Sequence, residues 1–159
     1  YLKSFDSGNY AVDVVMNHEM AAAKEQGVVL DTSILVPRKL PFKDEDLCSL
    51  LSNLLDNAME AASQAGVAEP TVNISIIPRQ EYLFIRVTNP VDKTLPEKRR
   101  MTLETTKTNH TELHGYGTRI IRRIAESYNG SVKYSMCGGI FTTDVMLEMP
   151  EEKSVEEEA

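Results

Sequence analysis

The sequence predicts an α+β fold, a two-layer sandwich with three main helices on a mixed, largely antiparallel sheet. Three observations carry this expectation. Apolar residues recur with helical spacing in three separate stretches, while short runs rich in β-branched residues lie between and after them. Two pairs of those runs are joined by connections too short for anything but a hairpin. The helical stretches are set apart from the hairpin-linked strands, which favours layers over a wound βαβ arrangement.

The elements follow in order. "DSGN" caps a first helix, "YAVDVVMNHEMAAAKEQG", with Val12, Val15, Met16, Met20 and Ala23 as its expected buried face and Gly27 as its stop. "VVLDTSILVP" reads as a strand ended by Pro37. A second helix spans about 44–65 and ends at Gly66. "TVNISIIP" and "YLFIRVTN" form a hairpin through "RQE". Periodicity then disappears from 90 to 114, a length of loop that a compact domain keeps for function. "GYGTRIIRRIAESYNG" restarts a helix with Ile120, Ile121, Ile124 and Tyr128 inward, its arginines outward, and Asn129-Gly130 as its stop. "SVKYSM", a turn at 137–139, and "IFTTDVMLEMP" close the chain, the last with Phe141, Thr143, Val145, Leu147 and Met149 alternating inward.

A chain of 159 residues suits one domain with a real core. The net charge of −7 is uneven: residues 151–159, "EEKSVEEEA", hold five Glu and one Lys, so the rest carries −3. That acidic tail reads as disordered. No basic stripe exceeds "EKRR" at 97–100, which argues against a nucleic-acid surface. Cys48 and Cys137 have no metal-ligand spacing and read as reduced thiols. No apolar run reaches membrane length, and the initial Tyr suggests a piece of a longer protein.

Two stretches carry chemistry. On the second helix, Leu47, Leu50, Leu54, Ala58, Ala61 and Ala65 share one side, and Asn53, Asn57, Glu60 and Gln64 form a stripe beside them, at the rim of the core, with Asp56 turned further towards solvent. Such a stripe is ordinarily the polar flank of an amphipathic helix. An amide oxygen is, however, a hard, neutral ligand suited to Mg²⁺, which retains waters and takes most of its counter-charge from substrate phosphates. In the second stretch, "HGYGTRII", Gly115 and Gly117 lead directly into a helix, where backbone N–H groups and the positive dipole end favour a phosphate. No strand precedes them, which excludes a Rossmann turn, and the GxxxxGK[ST] pattern is absent. Upstream, "ETTKTNH" carries Lys107, able to reach a phosphate from the loop.

"NLLDNAMEA", followed about 60 residues later by "HGYGTRIIRRIAESYNG", resembles the N and G2 boxes of the GHKL ATP-binding superfamily, and residues 8–150 resemble the catalytic domain of a sensor histidine kinase. "NYAVDVVMNHEMAAAKEQGV" and "NAMEAA" resemble the Agr-type peptide-sensing and citrate-sensor-like branch. The resemblance implies the Bergerat fold, with ATP between the second helix and a lid at about 90–114. It makes Asn57 the Mg²⁺ ligand and places Asn53 one turn earlier on metal or phosphate, as the catalytic candidate. Gly115 and Gly117 come under the phosphates, with His114, Tyr116 and Thr118 around them and Lys107 and Glu60 nearby; Thr143 comes to adenine. The family's DxGxG is missing: "TNPVDK" stands there, and Asn89 takes the aspartate's position, where its amide oxygen can accept from the adenine amino group. Glu60 stands where many histidine kinases have lysine, and Thr118 where leucine is common.

The resemblance implies that the hydrolysing members of the superfamily, and the anti-sigma serine kinases, carry a glutamate where this chain has Asn53. An amide takes no proton, so Asn53 is no general base, and the site suits transfer to a better nucleophile, a histidine. His18 lacks the basic residue and proline of a phosphoacceptor box, so the acceptor is expected in an upstream dimerisation domain, of which residues 1–7 are a remnant. The implied partners are that domain and, through it, a response regulator; the fragment is expected to be monomeric and the full-length protein a homodimer. The implied location is the cytoplasmic side of a membrane-anchored bacterial sensor. Two alternatives stand beside the kinase: a degenerate domain serving as a protein-interaction module, which the missing DxGxG permits, and a hydrolytic ATPase, which Asn53 opposes.

Overall fold

The computed structural model describes residues 4–94 and 112–150. The element order is α1 (Tyr10–Gln26), β1 (Val29–Ile34), α2 (Asp44–Ser63), β2 (Thr71–Arg79), β3 (Tyr82–Pro90), α3 (Glu112–Ser127), β4 (Ser131–Cys137) and β5 (Ile140–Glu148). One five-stranded sheet has the order β1-β2-β3-β5-β4. Only β1 and β2 run parallel; the other three pairings are antiparallel. This is the expected two-layer α/β sandwich, with one addition: α2 is the crossover between parallel neighbours, so the fold contains a βαβ unit that hairpin spacing alone did not reveal.

Local chemistry sets the ends of each element. The Asn9 side chain accepts from the Val12 N–H at 3.1 Å, and Ser7 donates from both its backbone N–H and its hydroxyl to Asp13, so α1 starts where the capping residues lie. Gly27, at φ 69°, ends it. The β2–β3 hairpin turns through Gln80 and Glu81, with Gln80 at φ 54°. Gly138 and Gly139, at φ 59° and 78°, supply the two left-handed residues that a two-residue β4–β5 turn requires. Asn129, at φ 52°, stops α3, and the Gly130 N–H then bonds back to the Ala125 carbonyl at 2.8 Å.

The core lies between the helices and one sheet face, where Ile74, Ile76, Leu83, Ile85, Val145 and Leu147 meet Leu50, Leu51, Leu55 and Met59 of α2. The central helix α2 packs against both α1 and α3. Tyr128, at the end of α3, fastens the start of α2: its hydroxyl donates to Asp46 at 2.6 Å and accepts from the Lys43 N–H, and its ring meets Phe42 edge-on.

Two sequence expectations change. Met20 is 37% exposed, and Glu19 is buried in its place. At 100° per residue, position 19 falls nearly in line with Val12, whereas position 20 lies on the flank, so helix geometry overrides side-chain chemistry. The third helix starts at Glu112, upstream of both glycines, so Gly115 and Gly117 lie within it and not ahead of it. Lys107 and residues 151–159 lie outside the described residues, as does most of the loop at 90–114; at its two edges Pro90 completes β3 and residues 112–114 open α3.

Candidate functional site

The site is built where α2, α3 and the ends of β3, β4 and β5 converge. Asn53, Asn57 and Glu60 are half-buried along α2, as a stripe at the core's rim should be, and Gln64, a turn further on, is exposed. The Asn53 side-chain nitrogen donates to the Ser49 carbonyl one turn back at 2.7 Å. This bond turns its Oδ1 outward, towards α3. Among the described residues no group hydrogen-bonds the Asn57 amide.

Gly117 is the residue of α3 that meets these amides. A Cβ placed there would lie 2.9 Å from the Asn53 Oδ1 and 3.7 Å from the Asn57 Nδ2. No real Cβ makes the first contact without a shift, whereas the second is ordinary van der Waals contact, so the absent side chain leaves room for the Asn53 oxygen as it stands. The glycine therefore has a reason other than a turn. Gly115 and Gly117 are the fourth and sixth residues of α3, so both lie just beyond the first three residues, whose N–H groups have no intrahelical partner. Gly115 shares the first turns with His114 and Tyr116, whose side chains lie outside the described residues.

Beside this junction is a pocket of about 30 Å³ lined by Leu54, Asn57 and Ala58 of α2, Thr118 and Ile121 of α3, and Asn89, Tyr134, Phe141 and Thr143 of the sheet. Four positions singled out from sequence thus share one pocket: Asn57, Asn89, Thr118 and Thr143. Register explains the sheet's part. Asn89 lies opposite Phe141, and Thr143 lies between Val87 and Tyr134, so all these side chains point to the helical side. Asn89 is buried, and its Nδ2 donates to the Pro90 carbonyl at 3.0 Å. That bond fixes the amide and leaves its oxygen as an acceptor. Tyr134 is the pocket residue that sequence reasoning missed. An inward aromatic on a strand reads by default as core, and only the register places it beside Thr143.

A second polar feature lies away from this pocket, between α1 and α2. Asp56 is exposed, yet it hydrogen-bonds the carboxyl of Glu19. Burial, then the Asp56 hydrogen bond and charge, raise the Glu19 carboxyl from 4.5 to about 8, so it is protonated at neutral pH. Among the described residues its Oε2 has no hydrogen-bond partner. Cys48 and Cys137 are free. Among the described residues no helix is long and apolar enough to cross a membrane.

Residues 42–148 match the family model described as the GHKL domain. The sensor protein kinase CarS of Pseudomonas aeruginosa is 32% identical over 120 residues, covering 73% of this chain and 25% of that protein. The chain thus spans about a quarter of the length of this curated relative. Among solved structures, a nucleotide-free catalytic domain of the histidine kinase ThkA superposes with a TM-score of 0.66 at 17% identity, covering 88% of this chain and 93% of that one. A mycobacterial sensor histidine kinase, MprB, gives 0.65 at 12% identity, covering 87% and 93%. The Acinetobacter baumannii histidine kinase AdeS gives 0.62 at 14%, covering 87% and 64%. At these identities the structural likeness is one of fold.

Proposed function

The chain belongs to the GHKL domain family, and from that premise we propose that it binds MgATP and transfers the γ-phosphate to a histidine carried by another domain, as the catalytic domain of a sensor histidine kinase. The observation that carries this reading is the meeting of Asn53 and Asn57 with Gly117, next to the pocket shared by Asn57, Asn89, Thr118 and Thr143.

The donor set fits a magnesium ion. Asn57 has an uncommitted amide, and the Ser49 bond leaves the Asn53 oxygen facing the same junction. Two neutral oxygens one turn apart add no negative charge beside a triphosphate, which suits a cation that keeps waters and leans on phosphate oxygens. Asn57 is the assigned ligand, with Asn53 on metal or phosphate. When bound, the ion would neutralise charge on the phosphates. The residues of the chain do the rest. Asn89 accepts from the adenine amino group, and Thr143 completes that contact. Glu60 and Thr118 border the phosphate path, with Gly115 beside it, and the first turn of α3 offers N–H groups to it. His114, Tyr116 and Lys107 are assigned to the phosphate side, and the loop after β3 to the ATP lid.

Neither asparagine takes a proton, so water is poorly activated, and positioning with charge neutralisation favours a histidine imidazole as acceptor. That histidine belongs to an upstream dimerisation domain, with residues 1–7 as its remnant and 151–159 as an acidic tail; a response regulator then takes the phosphate. We further assign the chain to the Agr-type and citrate-sensor-like branch, which includes quorum-sensing kinases. The full protein is a homodimer anchored in a bacterial membrane, with this domain on the cytoplasmic side.

The test is a calorimetric ATP titration of this chain with and without Mg²⁺, beside Asn57→Ala. Saturable binding that Mg²⁺ enhances and the substitution weakens by about tenfold or more supports the assignment. Normal Mg²⁺-dependent binding by Asn57→Ala removes Asn57 as the metal ligand. No binding at millimolar ATP moves the chain to the interaction-module reading.

A further inference from the structure

We infer that Tyr134 sets the size of the base pocket and makes it selective against purines enlarged at the exocyclic amine. The inference rests on the nucleotide reading above and deepens it. Tyr134 lies on β4, the edge strand beside β5, with its Cα in register with Thr143. Its ring packs against Phe141 at a centroid distance of 5.8 Å and 32° between planes, so the two aromatics pave the sheet side of the pocket together. The Tyr134 hydroxyl is buried. With this ring in place, the pocket holds about 30 Å³, far below the roughly 300–1,000 Å³ typical of small-molecule sites.

The walls differ in how readily they can give way. Leu54 and Ala58 of α2 and Ile121 of α3 belong to helices that pack against each other, and Phe141 and Thr143 lie on β5 between two strands. Among the described residues, Tyr134 sits on a strand with a neighbour on one side only, and it is partly exposed where the others are buried. A base entering beside Asn89 and Thr143 displaces the Tyr134 ring or stacks on it. In either case the ring bounds the edge of the base that faces Thr143. Under the proposed adenine contact that edge bears the amino group, and a substituent there meets the tyrosine.

The test compares binding of ATP and N6-benzyl-ATP, each with Mg²⁺, to the natural chain, Tyr134→Val and Tyr134→Phe, with thermal melts to confirm folding. Should Tyr134→Val not fold, Tyr134→Leu takes its place. The natural chain and Tyr134→Phe are expected to bind ATP and discriminate against N6-benzyl-ATP by about tenfold or more, and Tyr134→Val to lose most of that discrimination. ATP binding by Tyr134→Val alone would equally identify the ring as the block. Equal binding of both nucleotides by the natural chain overturns the inference, and so does undiminished discrimination by Tyr134→Val; in both cases ATP still binds, and the nucleotide reading stands. Failure of every folded variant to bind ATP removes that reading and this inference with it.

Discussion

Gly117 shows most directly how one side chain, or its absence, sets the site. Replacing it with alanine improves the helix by about 0.5–1 kcal/mol, because glycine is the poorer helix former. The new Cβ, however, would stand 2.9 Å from the Asn53 oxygen, so the amide must shift away from the orientation that its bond to the Ser49 carbonyl sets. Gly117→Ala is therefore expected to keep or raise the melting temperature while lowering MgATP affinity by about tenfold. A melt beside a titration checks both halves. An unchanged affinity would mean that the Asn53 orientation does not matter. At this scale the sequence was informative about Asn53 and Asn57, because helical period alone separates a polar stripe from the core. It was silent on why position 117 is glycine, since the reason is an atom on another helix.

The helices and strands were largely legible, and the exceptions share a cause. Hairpins and caps are local chemistry, so "DSGN", the link at 80–81, Gly138-Gly139 and Asn129-Gly130 could be read directly. The parallel pairing of β1 with β2 and the burial of Glu19 depend on what packs where, which no local pattern reports. Glu19 makes a prediction at this scale. Its carboxyl is raised from 4.5 to about 8 in the folded protein, by burial first and Asp56 second, and returns to its ordinary value on unfolding. The folded state therefore holds more protons than the unfolded state between about pH 4.5 and 8, so the pair's contribution to stability falls as pH rises through that window and is level above it. Glu19→Gln keeps a donor for Asp56 and removes the titration, so urea melts of that variant should show a flatter pH profile than the natural chain. Parallel profiles would mean that Asp56 and burial do not hold the proton on Glu19. The α2–α3 fastening is tested in the same way: Tyr128→Phe leaves Asp46 without its donor and the Lys43 N–H without its acceptor, at a cost of about 1–2 kcal/mol.

The whole molecule places its site across its layers, and this has a thermodynamic consequence. The pocket takes walls from α2, α3, β3, β4 and β5, which also enclose the core, so no part of the site survives unfolding of the domain. A ligand bound there stabilises the folded state alone, by RT ln(1 + [L]/Kd), or about 1.4 kcal/mol at ten times Kd. For a domain of this size that shift raises the melting temperature by roughly 3–6 °C. MgATP is accordingly expected to raise the melting temperature of the natural chain in a concentration-dependent way. Mg²⁺ or ATP alone should do so less, because Asn57 and the phosphates share one ion in the proposed geometry. Asn57→Ala should melt close to the natural chain without ligand, since its side chain stands at the rim of the core, and should respond weakly to MgATP. A shift that is the same for both proteins would put nucleotide binding somewhere other than the α2–α3 junction. No shift in the natural chain at millimolar MgATP would mean that Asn89 does not serve in the missing aspartate's place, and that this GHKL domain meets its partners without nucleotide.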